Sequence, residues 1–192
     1  MLRHAPAGVE VLGAHPLFCP DSDSRGMTIV LVPAVKSGRW PSVIRGIFTG
    51  SGYNVIETTA EEHDRAMAVV QGMTHFMYVA MGRALDKSGV DLEELSAFKT
   101  PVYGITQELL GRVLSQDPGL YALIQSSPDA QRLRRAYVDA CRELADGLDA
   151  GDSGKFIAAF ESAARHYGDT AGARRRSERI IYALKDEEKK DD

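Results

Sequence analysis

The sequence predicts a mostly α-helical protein: a small α/β portion at residues 1–59, an all-α portion at 60–185, and a charged, disordered tail at 186–192. Three observations predict it. Short β-branched runs are concentrated in the first 59 residues, bounded by Pro, Gly, Asp and Ser in the manner of strand ends. From Thr59 onward, apolar residues recur at helical spacing. The rest of the chain carries little β signal and no internal repeat.

The runs VEVLGA (9–14) and MTIVLVPA (27–34) predict two strands. WPSVIRGIFTGSG (40–52) predicts a short helix with glycines at its end, and YNVIETT (53–59) a third strand. Strand, strand, helix, strand is part of a layered sheet. Thr59 is an N-cap candidate, and Glu62, three residues later, completes a capping box. A long helix should follow to about Lys87 and end near Gly89, with a stripe through Met67, Val70, Met73, Thr74, Met77, Tyr78, Met81 and Leu85. Between Ala66 and Met81 it is nearly apolar all round, which implies burial on more than one side. Further helices are expected at 91–97, 102–116, 118–126, 129–150, 153–167 and 171–185, with Gly151 and Asp152 breaking an antiparallel pair. The buried long helix can be covered by the other helices of the chain or by a symmetric dimer that shares the core.

The formal net charge of -4 argues against a general nucleic-acid surface, which needs a basic excess. Arg174, Arg175 and Arg176 form a local basic run followed by acids and read as a solvated helix face. Cys19 and Cys141 lack CxxC spacing and make no disulfide framework, so a reducing cytoplasm is the simplest compartment. With no apolar run of about 18 residues, no membrane span is expected. The start, MLRHAPAGVEV, has no uninterrupted apolar segment of the secretory kind.

His15 follows a predicted strand and precedes a proline, and strand ends in open α/β sheets are where ligands bind. An imidazole there can exchange a proton near neutral pH, although a surface turn histidine fits the residues as well. His63 and His75 are twelve residues apart, roughly 18 Å along a straight helix, too far to hold one small ligand or metal together. His63 reads as structural, and Asp64 as a favourable charge at the helix N-terminus. Gln71 and His75 are four apart and share a face beside Thr74; such a polar trio in an apolar helix is unfavourable unless paired. Its partner is either a backbone carbonyl or a polar ligand. Without HExxH or paired cysteines, no zinc site is expected. Arg112 is either a surface arginine or a buried one among Leu109, Leu110, Val113 and Leu114; Gln116 lies one turn further, and Asp117-Pro118 marks a helix stop and restart.

Three stretches in order, GAHPLFCPDSDSRG, EEHDRAMAVVQGMTHF and TPVYGITQELLGRVLSQDPGLYALIQ, resemble the prephenate dehydrogenase family from about Gly8 to the last helix. The resemblance implies that 1–59 is the end of a Rossmann-like, NAD- or NADP-binding domain, an α/β remnant, and that 60–185 is a helical substrate-binding and dimerisation domain. Family members oxidise the ring hydroxyl of prephenate or arogenate with loss of carbon dioxide, on the route to tyrosine. By resemblance His15 accepts the hydroxyl proton, His75 lies in the substrate pocket, and Arg112 pairs with the ring carboxylate as a bidentate guanidinium can. Gln71, Gln116 and Ser22 are further substrate-contact candidates, with Ser24 and Tyr103 weaker ones. Cys19 stands where the family has glycine, which puts the standard pocket in doubt. The larger departure is the lack of any GxGxxG, with only 14 residues before His15. NAD or NADP is therefore not expected to be held by this chain alone. The chain is expected to be a fragment, a natural short protein, or one half of a pair whose other polypeptide binds the nucleotide, docking on the exposed sheet edge. A homodimer acting on a cyclohexadienyl acid is the expected assembly. The alternatives are a non-redox prephenate-binding subunit or sensor, and a cofactor-free enzyme on prephenate.

Overall fold

A computed structural model describes residues 9–19, 23–34 and 38–191. It divides into two compact units, Met1–Met67 and Ala68–Asp192. The expected boundary at 59/60 falls eight residues earlier, because the first helix after it packs on the sheet and stays with the first unit.

The first unit holds β1 (Leu12–Pro16), β2 (Thr28–Pro33), α1 (Trp40–Gly50), β3 (Asn54–Glu57) and α2 (Ala60–Met67). The sheet order is β1-β2-β3. β1 runs antiparallel to β2, with Leu12 opposite Pro33 and His15 opposite Val30; β3 runs parallel to β2, from Thr28 opposite Asn54 to Leu31 opposite Glu57. Parallel neighbours need a crossover, and α1 supplies it, packing on β2 and β3. Ile29, Val30 and Leu31 are consecutive and all buried, so both faces of the central strand are covered. The predicted capping box forms: Thr59 Oγ1 accepts from the Glu62 N–H at 3.2 Å, and Glu62 Oε2 accepts from the Thr59 N–H at 3.2 Å. Thr58 Oγ1 donates to the same carboxylate oxygen at 2.7 Å. The hydroxyl of Thr58, then the backbone and hydroxyl of Thr59, hold the Glu62 carboxyl below its ordinary range. The start of α2, which packs on β2, is thereby fixed.

The second unit is helical: α3 (Thr74–Ser88), α4 (Leu92–Leu95) with a short 3₁₀ turn (Ser96–Phe98), α5 (Pro101–Leu114), α6 (Pro118–Ile124), α7 (Pro128–Asp149), α8 (Ser153–Tyr167) and α9 (Thr170–Asp191). It opens with a π-helical segment, Ala68–Met73. The single long helix expected from Thr59 to Lys87 is therefore α2, the π segment and α3 in succession. The π turn changes the stagger that a straight helix would impose, and the Thr74 hydroxyl donates to the Val69 carbonyl five residues back at 3.2 Å. α3 closes at Gly89, whose φ of 68° is the left-handed cap that glycine takes most readily. α5 lies close against α3: a Cβ on Gly82 would sit 3.3 Å from methyl carbons of both Leu110 and Leu114. α7 packs on the π segment and on α8. α9 continues through the charged run to Asp191, where a disordered tail from 186 was expected; the Lys and Glu of that run are good helix formers. Among the described residues, no helix is long and apolar enough to cross a membrane.

Candidate functional site

In the first unit, β1 carries His15 to its penultimate position, and the capped first turn of α2 carries His63. The two imidazoles meet. His15 Nδ1 lies 2.9 Å from His63 Nε2, with ring centroids 5.2 Å apart at 66°. The other nitrogen of His63, Nδ1, is 2.9 Å from Asp64 Oδ1. A chain of groups thus runs Asp64, His63, His15. Burial, and then the charge that His63 can carry, hold His15 below its ordinary pKa, so the neutral imidazole is favoured. Beside this chain is an open cleft of about 850 Å³, walled by the ends of β2 and β3 and by Glu61, Glu62, His63 and Asp64. Sequence reasoning missed His63 as a partner of His15, having read it as structural. Its position one residue beyond the capping box was legible; the 48-residue pairing that brings it to His15 was not.

In the second unit, a more enclosed cavity of about 310 Å³ is walled by His75, Val79, Gln116, Tyr121 and Gln125 among others. His75 stacks obliquely on Tyr121, centroids 4.4 Å apart. Its Nδ1 is buried and has no hydrogen-bond partner among the described residues. Burial also lowers its pKa, which favours the neutral imidazole. Gln125 is held rigidly: its Nε2 donates to the Gly72 carbonyl at 2.7 Å, and Arg134 Nη1 donates to its side-chain and backbone oxygens at 3.0 Å each. Tyr121 and Gln125 were not singled out from the sequence; their only signal is a place in the helix that restarts after Asp117-Pro118.

The structure brings His75 and Gln116 to one cavity, and does not place Gln71 or Arg112 on its wall. Gln71 lies within the π segment, so its four-residue spacing to His75 does not give the shared face expected of an α-helix. Arg112 is exposed, not buried as its apolar neighbours suggested. On α5, Leu110 marks the buried face, and Arg112 is about 200° further round, on the opposite side. Ser22 lies outside the described residues. Ser24 shares a hydrogen bond with the Tyr53 hydroxyl at 3.1 Å, and Tyr103 accepts one from the Gln107 side chain. Cys19 is half-buried. Among the described residues, no group of three or more His, Cys, Asp or Glu is placed to hold a metal ion.

Among the described residues of the first unit, neither helix N-terminus fits a dinucleotide pyrophosphate. Such a group seats on free N–H groups at a helix N-terminus that opens from a strand. In the first unit the N-terminus of α1 faces Glu10, whose Oε2 accepts from the Trp40 N–H at 3.3 Å. The N-terminus of α2 is filled by the Glu62 carboxylate. A polyanion at either place would meet a carboxylate.

Fold and site together define an α/β unit and a helical unit, each with a histidine beside a cavity. The profile described as "Prephenate dehydrogenase, dimerization domain" matches residues 59–162. The chain is 32% identical over 193 residues to the "Probable arogenate/prephenate dehydrogenase" of Methanocaldococcus jannaschii, covering 97% of this chain and 43% of that protein. It is 34% identical over 165 residues to the "T-protein" of Enterobacter agglomerans, covering 84% and 43%. Among solved structures, prephenate dehydrogenase from Aquifex aeolicus superposes with a TM-score of 0.63 at 16% identity, over 81% of this chain and 58% of that one. Arogenate dehydrogenase from Synechocystis gives 0.58 at 16% identity, over 86% and 60%. At that identity the superpositions establish a shared fold. The chain belongs to the prephenate dehydrogenase family, and it spans less than half the length of these two curated relatives.

Proposed function

We propose that this chain provides the substrate-binding and proton-accepting part of a prephenate or arogenate dehydrogenase of tyrosine biosynthesis. The observation that carries the reading is the His75 Nδ1, buried and unpartnered at a cavity of ligand size. A buried polar atom without a partner is unfavourable in the empty protein, and a bound polar guest relieves it. His75 and Gln116, on the cavity wall, hydrogen-bond a cyclohexadienyl acid; the pairing of Arg112 with a carboxylate of it, and polar contacts from Gln71 and Ser22, rest on the family resemblance and not on this cavity. His15, favoured as the neutral imidazole, accepts the ring hydroxyl proton. NAD or NADP would supply the hydride acceptor, and a nucleotide-binding segment other than the residues described here, on the same polypeptide or a separate one, would hold it.

The second unit carries the dimer contact on this reading. Phe98, Val102, Leu123 and Phe160 are 80%, 70%, 69% and 67% exposed, apolar side chains that a second copy could cover. The carboxylates at both helix N-termini favour one second reading, a subunit or sensor that binds prephenate without redox chemistry.

Calorimetric titration of the chain with prephenate and with arogenate, then absorbance of reduced nicotinamide on adding NAD or NADP, tests these readings. Binding with turnover only when a nucleotide-binding domain is added supports the first. Binding without turnover in that mixture supports the second. No binding of either acid overturns both.

A further inference from the structure

We propose that His63 and Asp64 are positioning residues that decide which nitrogen of His15 carries its proton. The proposal deepens the role given to His15 above and rests on it for its catalytic meaning.

The hydrogen bonds run inward from the carboxylate. An ionised Asp64 can only accept, so the 2.9 Å contact puts a proton on His63 Nδ1. With His63 neutral, its Nε2 then bears a lone pair. The 2.9 Å contact to His15 Nδ1 is satisfied only if His15 donates, so the His15 proton sits on Nδ1. That leaves the lone pair of His15 on Nε2, the nitrogen turned away from His63. A proton acceptor for a hydroxyl needs that lone pair; the opposite tautomer would offer an N–H and could only donate. Neither His63 nor Asp64 touches the reacting atoms in this scheme. Each acts through the next ring, as the carboxylate of a Ser-His-Asp triad fixes its histidine.

The fold supports the arrangement at both ends. The β1–β2 register fixes His15 opposite Val30, and the Thr59–Glu62 capping box fixes the turn that carries His63. The side chain of His63 is 19% exposed while that of Asp64 is 65% exposed, so the inner link is shielded and the outer one borders water. Replacing Asp64 therefore alters the chain of protons without opening the core.

The test is ¹⁵N NMR of the imidazole nitrogens in the intact chain, labelled at histidine, with peaks assigned by single His→Gln variants. Above the His15 titration, the expected spectrum has His15 Nδ1 at the protonated and Nε2 at the unprotonated position. Asp64→Asn can turn its amide N–H₂ toward His63 Nδ1; the expected result is that both histidines exchange their protonated and unprotonated positions. Asp64→Glu restores the original pattern. His63→Phe removes the inner acceptor, and His15 then shows the averaged pattern of two interchanging tautomers. A His15 that carries its proton on Nε2 in the parent chain overturns the proposal. So does a His15 pattern unchanged in both Asp64→Asn and His63→Phe, each checked as folded by its backbone amide spectrum. Adding prephenate to the same samples separates the two readings. If no histidine resonance moves, the substrate assignment fails while the tautomer result stands on its own.

Discussion

Replacing His75 by Phe should make the chain more stable and worse at binding its substrate, and the two effects come from one atom. The imidazole Nδ1 is buried with no partner among the described residues. Leaving such a group unsatisfied costs about 1–3 kcal/mol, and the lower end applies because the ring as a whole is only half-buried. Phe keeps an aromatic ring of similar size against Tyr121, so the 4.4 Å stacking contact survives and no large cavity opens. The expected gain is therefore about 1 kcal/mol, or roughly 2–4 °C in melting temperature for a chain of this length. Urea denaturation followed by circular dichroism measures it, at one fixed protein concentration because an oligomer's midpoint depends on concentration. Calorimetry on the same variant should show prephenate affinity reduced at least about tenfold, equivalent to about 1.4 kcal/mol. A loss of stability of about 1 kcal/mol or more would mean that Nδ1 is satisfied in the folded protein, and the argument for a guest at that cavity would fall. Unchanged affinity would refute the assignment of His75 to the substrate.

The same imidazoles make stability depend on pH. Burial holds His15 and His75 below their ordinary value, and the charge on His63 adds to the effect at His15, so between the folded pKa values and about 6.5 the unfolded chain binds more protons than the folded one. Their contribution is present above about pH 6.5 and is lost as pH falls through 6.5 toward those lowered values; urea midpoints measured across that range should fall accordingly, and a His15→Gln, His75→Phe double variant should flatten the fall. Thr59→Ala removes the N-cap of α2 and should cost about 1 kcal/mol in a urea titration, with a change at the His15 imidazole resonances because α2 carries His63. Leu110→Ala, at a residue 4% exposed and packed against Gly82, should cost about 2–5 kcal/mol; a cost under 1 would contradict the α3–α5 packing.

What could be read from the sequence was local. The β-branched run of β2, the Thr59–Glu62 box and the Asp117-Pro118 restart depend on residues a few positions apart, and each forms as expected. The place of His15 at a strand end is likewise a local feature. The misses share another cause. The π turn at Ala68–Met73 has the same apolar composition as the α-helix it interrupts, so nothing in AVVQGM announces it, and the Gln71–His75 pairing went with it. The burial expected of Arg112 came from its neighbours in sequence, whereas the face of α5 that is buried is chosen by Gly82 and the helix it belongs to. His63 became a partner of His15 only through a strand pairing that closes 48 residues of chain.

The electrostatics of the first unit also limit what it can bind. The cleft beside His63 is walled by Glu57, Glu61, Glu62 and Asp64, and the two helix N-termini of that unit already hold carboxylates. A substrate with two carboxylates would be repelled there, each like-charge contact near 4 Å being worth about 1–4 kcal/mol between water and a protein surface. On the proposed reading this acidic unit suits an uncharged group, such as a hydroxyl that gives its proton to His15. For a carboxylate the family resemblance points to Arg112, an exposed guanidinium off the wall of the His75 cavity. Exchanging Arg112 for Gln should therefore weaken binding of prephenate far more than binding of an analogue that lacks the ring carboxylate. Equal losses for the two ligands, read by calorimetry at matched ionic strength, would remove Arg112 from the carboxylate.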